Sequence, residues 1–321
     1  MCSEKKSGLD SIQYAETILV ATRDQCIYLL SKIENGEAVM KIIETVKGMR
    51  EFVQQAKRQG QSIALVPTMG SLHAGHLALM GRAKQACDIV ITSIFINPTQ
   101  FGPQEDYTHY PRDLTGDSEK AASAGVEVIF HPQVAEMYPE GYSSFVDVEG
   151  ISEKLCGLSR PGHFRGVATV VNKLFNIIQP NKAFFGQKDA QQVLVLERMV
   201  ADLNMNVTLE VVPIVREADG LAMSSRNAFL SAKERRAGLV LFRSLKLAQE
   251  LVAQGEINID NIRSQVMAEI QTEDLAECEY VEIYKYPSLQ GLGTLEDKAL
   301  LALAVRFGKT RLIDNVILEV K

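Results

Sequence analysis

The sequence predicts an α/β fold: a parallel sheet with helices on both faces, followed by a smaller α+β domain. Three observations carry this. From residue 62 to about 214, short β-branched runs alternate with helically spaced segments, the rhythm of parallel strands joined by right-handed crossovers. The run DIVITSIFIN at 88–97 is apolar without alternation, as expected of a strand covered on both faces. Beyond 215 the rhythm changes to two helices and then three consecutive strands.

Residues 1–39 form an amino-terminal extension of unassigned role, open to three readings: an appended helix, a tail, or sequence upstream of an internal start. Met40 opens MKIIETVKGMREFVQQAKRQG, a natural domain start. SIALVP (62–67) is a short apolar strand that ends in turn chemistry, and LHAGHLALMGRAKQA has helical spacing. After DIVITSIFIN, a helix is expected near 115–124 and VEVIFH as a strand. GVATVVNKLFNIIQ reads as a buried helix that stops before Pro180. KAFFG, DAQQVLVLERMVADL and VTLEVVPI continue as strand, helix and strand. The smaller domain, 215–321, begins with a long helix over 231–255, capped by Ser231. NIDNIRSQVMAEIQ is a second helix, and CEYVEIYKY, KALLALAVRF and TRLIDNVILEV are three strands.

Composition narrows the function. A chain 46% hydrophobic and 23% charged can bury a core. A net charge of −6 argues against a nucleic-acid partner. Five scattered cysteines without a CxxC pair read as reduced thiols of a cytoplasmic protein. No apolar run reaches the roughly 18 residues of a membrane span. MCSEKKSGLDS has no apolar segment after its charges, so it is not a clear secretory leader.

The first core strand ends at Pro67-Thr68-Met69-Gly70, where ligands of open α/β sheets bind. A helix then begins near His73, and its N–H groups and dipole favour an anion. His73 and His76, at i and i+3, share one face and can both reach a bound phosphate. Zinc would need further ligands, and no nearby Cys, Asp or Glu supplies them. Two partly exposed helix histidines remain the plain alternative, against which the glycine turn after a strand favours a nucleotide.

PTMGSLHAGH at 67–76 resembles the signature of the pantothenate synthetase (pantoate–β-alanine ligase) family, within the HxGH nucleotidyltransferase superfamily. FINPTQF (95–101), YPRD (110–113), RPGHFRGVATVV (160–171), FFGQKDAQQ (184–192) and DGLAMSSRN (219–227) follow in the family's order. The resemblance spans about residues 40–321. It implies a Rossmann-like domain over 40–214 binding nucleotide and pantoate, and a carboxy-terminal domain carrying the MSSRN loop. The implied reaction joins pantoate to β-alanine through pantoyl adenylate, releasing AMP and pyrophosphate. Attack of a carboxylate on phosphorus needs alignment and charge relief more than a protein nucleophile.

Carried over residue by residue, the resemblance assigns ATP to the turn Met69, Gly70, Ser71, Leu72, His73, Ala74, Gly75 and His76. It adds Gly186, Gln187, Lys188 and Asp189, with Asp189 on the ribose, and Val215, whose backbone meets adenine. The MSSRN loop contributes Met223, Ser224, Ser225 and Arg226. His73, His76, Lys188, Ser224, Ser225 and Arg226 are the implied catalytic groups. Gln100 and Gln192 are the implied pantoate amides, with Asn97 and Arg160 beside them; neutral amides leave the substrate carboxylate nucleophilic. Val167, Val170 and Val171 line the pocket and serve the core at once. Mg²⁺ is expected with ATP. Asp117 matches an acid near the metal in some members, but Gly116 stands where those members have a second acid. A homodimer formed by the larger domain is also implied. A plain nucleotidyltransferase and a silent binding protein are the competing readings.

Overall fold

The computed structural model describes residues 17–22, 25–30, 40–103, 105 and 107–320. The larger sheet opens with a hairpin, β1 (Thr17–Thr22) and β2 (Gln25–Leu30), which adds antiparallel to β3 (Lys41–Ile43). The described part of the extension is therefore strand and not helix; the rest of 1–39 lies outside the described residues. Helix α1 (Val46–Arg58) follows, capped by Thr45, whose Oγ1 accepts from the Gly48 N–H at 3.1 Å. Then come β4 (Ile63–Thr68), α2 (Ala74–Ala86), β5 (Ile89–Ile94), α3 (Leu114–Ser123) and β6 (Val128–Phe130). Short helices α4 (Val134–Met137) and α5 (Cys156–Ser159) lead to α6 (His163–Ile178), β7 (Lys182–Gly186), α7 (Ala190–Asp202) and β8 (Thr208–Val212).

The strand order is β1-β2-β3-β6-β5-β4-β7-β8, and the six strands from β3 to β8 run parallel. The unbroken apolar runs now have a cause. Ile63 and Leu65 of β4 pack with α1, α6 and α7, while Ala64 and Val66 pack with α2 and α3. The central strands β4, β5 and β6 are buried on both faces, so no polar alternation survives there. Parallel strands bring their carboxyl ends to one edge. The loops after β4, β5, β7 and β8 all leave from that edge.

The smaller unit holds α8 (Ala232–Ala237), α9 (Leu239–Ala253), α10 (Ile259–Ile270), β9 (Glu277–Lys285), β10 (Lys298–Phe307) and β11 (Thr310–Glu319). The three strands are antiparallel in the order β11-β10-β9. The single long helix expected over 231–255 is divided at Gly238, with φ −56° and ψ −19°. Its N–H still reaches Glu234 O at 2.8 Å, so the division is a tightened turn and not a stop. Among the described residues, no helix is long and apolar enough to cross a membrane.

Candidate active site

The turn after β4 is held from below. Thr68 Oγ1 donates to Ser93 O and accepts from the Gly70 N–H at 3.2 Å. Gly70 and Ser71 both take positive φ, +86° and +53°. A Cβ at position 70 would lie 2.9 Å from Asp117 Oδ2, so this close approach requires glycine. Asp117, in the first turn of α3, accepts the Ser71 N–H on Oδ2 and the Leu72 N–H on Oδ1, each at 2.7 Å. It is 1% exposed. Asp117, the acid expected near a metal, thus spends one bond from each oxygen on the backbone of the turn. Among the described residues no group of three His, Cys, Asp or Glu side chains could hold a metal ion.

His73 occupies the N-cap of α2 and His76 its third position, and the two cap each other's backbone. Gly75 N–H donates to His73 Nδ1 at 3.1 Å, and His73 N–H donates to His76 Nδ1 at 3.3 Å. A ring nitrogen that accepts cannot carry the proton, so each neutral imidazole is protonated on Nε2. That leaves the two Nε2–H groups as the side-chain donors at this helix start. The rings lie 4.1 Å apart. Burial first, then the Lys188 charge, pulls His73 down to about 4. Burial and His73 pull His76 down to about 3. Both rings are uncharged near neutral pH.

This has a consequence for stability. Unfolded, each ring titrates near 6.5; folded, neither takes a proton until far lower pH. Within that window the unfolded chain binds more protons, so stability is lost as pH falls. We expect Tm to drop between about pH 6.5 and 5, above the range where ordinary carboxylates titrate. Thermal melts across that range check it, and a flat Tm would mean that the native rings carry charge.

Opposite the histidines, the turn Pro98–Gln100 sits against α6. Asn97 is 1% exposed and fully engaged. Its Nδ2 donates to Gln100 Oε1 and Gly166 O, both at 3.1 Å, and its Oδ1 accepts from Tyr138 OH at 2.8 Å. Asn97 thus aims Gln100 rather than facing the cleft. Gln100 lines the cleft, with Nε2 against Met69 Sδ at 3.2 Å. The turn comes so close to α6 that a Cβ at Gly166 would lie 2.4 Å from Thr99 O and 2.6 Å from Gln100 Cα. G166A is expected to cost about 1–3 kcal/mol of stability by forcing this turn off α6, which urea melts check.

Arg160 lines the same wall but is paired: its Nε and Nη2 grip Glu105 at 2.6 and 2.7 Å. Burial pushes the Glu105 carboxyl up, but the hydrogen bonds and charge of Arg160 outweigh that and leave it low. His163 donates from Nδ1 to Gln100 O at 2.9 Å and accepts from Arg160 Nη1 on Nε2 at 2.9 Å. Burial, then the Arg160 charge, lowers it to about 4. The implied substrate residue Arg160 therefore fastens the 101–113 loop to α6.

The third wall comes from the turn after β7 and the loop after β8. Lys188 and Asp189 line the cleft. Asp189 stands at the N-cap of α7 yet makes no side-chain cap bond, which leaves its carboxylate for the cleft. Gln192 lies one turn further along α7. The loop of Met223, Ser224, Ser225 and Arg226 closes the far side. Met223 N–H donates to Val215 O at 2.9 Å, and Ser224 Oγ accepts from the Arg226 N–H at 3.2 Å. These walls enclose a cleft of about 240 Å³. It shares Arg160, Lys188 and Ser224 with a trough of about 1000 Å³ that runs along the small domain.

The family described as pantoate-beta-alanine ligase matches residues 41–317. A pantothenate synthetase of Pelotomaculum thermopropionicum is 59% identical over 279 residues, covering 87% of this chain and 99% of the relative. The chain belongs to the pantoate–β-alanine ligase family. A pantothenate synthetase of Thermotoga petrophila is 50% identical, covering 87% of this chain and all of the relative. The crystal structure of a Thermus thermophilus pantothenate synthetase superposes with a TM-score of 0.82 at 43% identity, over 86% of this chain and 98% of that one. The pantoate–β-alanine ligase of Francisella tularensis, solved with β,γ-ATP and β-alanine, gives 0.72 at 34% identity, over 87% and 97%. As a pantoate–β-alanine ligase, the chain is an ATP-dependent enzyme that forms pantothenate.

Within this ligase, Met69, His73, Gly75, His76, Gly186 and Val215 share the cleft with the residues above. Gly70, Ser71, Leu72, Ala74 and Gln187 do not line it. They form the backbone of the turns that do, and Gln187 points its amide to Asn315. Among the lining residues not singled out from the sequence are two whose motifs were. Tyr110 of YPRD is buried, with its hydroxyl 3.5 Å from Ser225 Oγ. His163 of RPGHFRG is the other.

Proposed function

We propose that this ligase works by laying the ATP triphosphate across three walls of the cleft. The Nε2–H groups of His73 and His76 meet it from α2, the Lys188 ammonium from the turn after β7, and Ser224, Ser225 and Arg226 from the loop. Asp189 takes the ribose hydroxyls and the Val215 backbone the adenine. Gln100 and Gln192 hold the pantoate acid through neutral amides, so its carboxylate keeps its nucleophilicity. A carboxylate oxygen attacks the α-phosphorus in line; the new O–P bond forms as the bond to pyrophosphate breaks. The amine of β-alanine then attacks the acyl carbon of pantoyl adenylate, loses a proton, and AMP leaves. Two uncharged imidazole donors and a fixed cation relieve the charge that builds on the leaving pyrophosphate.

The observation that carries this reading is that the imidazole pair, Lys188 and the Ser224–Arg226 loop line one cleft. Among the described residues no cluster of three His, Cys, Asp or Glu side chains offers Mg²⁺ a cage of its own. In this reading the ion enters as a companion of ATP, on phosphate oxygens and water. The working unit is a homodimer of the larger domain in the cytoplasm, consistent with Cys87, Cys156 and Cys278 being free thiols. Light scattering should then give about twice the 35.5 kDa chain mass.

Rapid quench with ATP and pantoate alone tests the chemistry. The expected result is one pyrophosphate per site, with AMP appearing only when β-alanine is added. Repeated pyrophosphate turnover without an amine would favour a plain nucleotidyltransferase and overturn the two-step ligase mechanism.

A further inference from the structure

Two adjacent side chains of the small domain hold the phosphate-facing segments from behind. Asp314 and Asn315 sit mid-strand in β11, the edge strand of its sheet, and are 3% and 4% exposed. Alternation along a strand sends them to opposite faces. Asn315 meets the turn after β7. Its Nδ2 donates to Gln187 O at 3.0 Å and to Lys188 O at 2.9 Å, and its Oδ1 accepts from Gln187 Nε2 at 3.1 Å. Asp314 meets Arg216 with both oxygens, at 2.6 and 3.0 Å. Arg216 is bridged to Ala222, immediately before Met223–Arg226, and also donates to Gly220 O at 3.1 Å. Asp314 Oδ1 further accepts the Asn315 N–H at 2.8 Å, which locks the two contacts together.

We infer that Asn315 is a positioning residue for the triphosphate: it holds the main chain of Lys188, while Asp314 holds the base of the Ser224–Arg226 loop. This rests on the reading that Lys188 contacts ATP phosphate. The chemistry of the contact is selective. One side chain gives two hydrogen bonds to carbonyls and takes one from an amide, which only a neutral amide can do. A carboxylate there would donate nothing and would face two carbonyl oxygens. The contact is also geometrically telling. Lys188 and the serine loop come from different parts of the chain, and one dipeptide on a rigid strand sets the distance between them. Asn315 borders the adjoining trough and not the cleft that holds the paired histidines, so it acts there through Lys188.

The test is binding of the α,β-methylene analogue of ATP, which cannot be adenylated onto pantoate. Dissociation constants are measured for the full chain as wild type, N315A, N315D, K188A and N315A/K188A, each checked by its Tm. N315A should weaken binding about tenfold and the isosteric N315D by more, since the buried carbonyls lose their donor. In the K188A background the Asn315 substitution should add little, because the group it positions is gone. A loss that multiplies fully in the double variant would mark a merely structural residue and overturn the inference, as would N315A or N315D binding within twofold of wild type. Should N315A fail to fold, the same-shaped N315D carries the comparison. K188A binding like wild type would instead overturn the phosphate reading of Lys188, and this inference with it.

Discussion

H76A is expected to slow pantoate-dependent pyrophosphate release by about 10²–10³-fold, the usual loss on removing one preorganised donor to developing charge. The geometry makes a finer forecast than the alanine alone. His76 has two separable tasks: Nδ1 caps the His73 N–H, and Nε2–H faces the cleft. Asparagine keeps a short acceptor near Nδ1, so H76N should retain the cap and melt close to wild type while losing the rate. Glutamine reaches further with a neutral N–H donor, so H76Q should recover part of the rate. An imidazolium acting as a proton donor would not be replaced by glutamine at all. Steady-state assays on the three variants decide between the two roles, and an unchanged rate in H76A would refute the phosphate contact.

Q100E is expected to raise the pantoate KM by about 10²–10³-fold while leaving ATP affinity intact. The substitution keeps the shape, and the new carboxylate can still accept from Asn97 Nδ2 where Gln100 Oε1 does now. What changes is charge. Setting a fixed carboxylate against the pantoate acid costs several kcal/mol, and each 1.4 kcal/mol is tenfold in affinity. Q100M, which removes only the hydrogen bond, should lose about tenfold. Pantoate and ATP saturation curves for both variants separate the outcomes. Equal losses for Q100E and Q100M would mean that no substrate carboxylate meets this amide.

The large sheet was legible because its physics is local. Strands buried on both faces show as unbroken runs such as IVITSI, and the helices between them have their own period. The paired histidines stood out because they follow a glycine turn. What sequence reading left out is mostly contact across the chain. Nothing local to Asp117 shows that its two oxygens accept the Ser71 and Leu72 N–H groups, 46 and 45 positions away. Asn97 reads as a substrate amide from its place after the second core strand, and its bond to Gly166 O, 69 positions on, leaves no local mark. Arg160 could not be known to be paired, since Glu105 is 55 positions distant. Asn315 sits in TRLIDNVILEV, which reads as an ordinary strand; nothing in its pattern points to a turn 128 positions earlier. The strand β3 has three residues, too few for a period to show.

One face of α6 does double service. Val167, Val170 and Val171 are 2%, 7% and 4% exposed, belong to the principal core and also line the cleft. Any attempt to reshape this wall for a bulkier or smaller acid is at once a core mutation, with the stability loss that cavities and overpacking bring. Selection for a new substrate would therefore have to recruit compensating changes elsewhere before it could move these positions. The breadth of acids open to laboratory evolution from this scaffold is set less by the chemistry of adenylation than by how much stability can be banked beforehand.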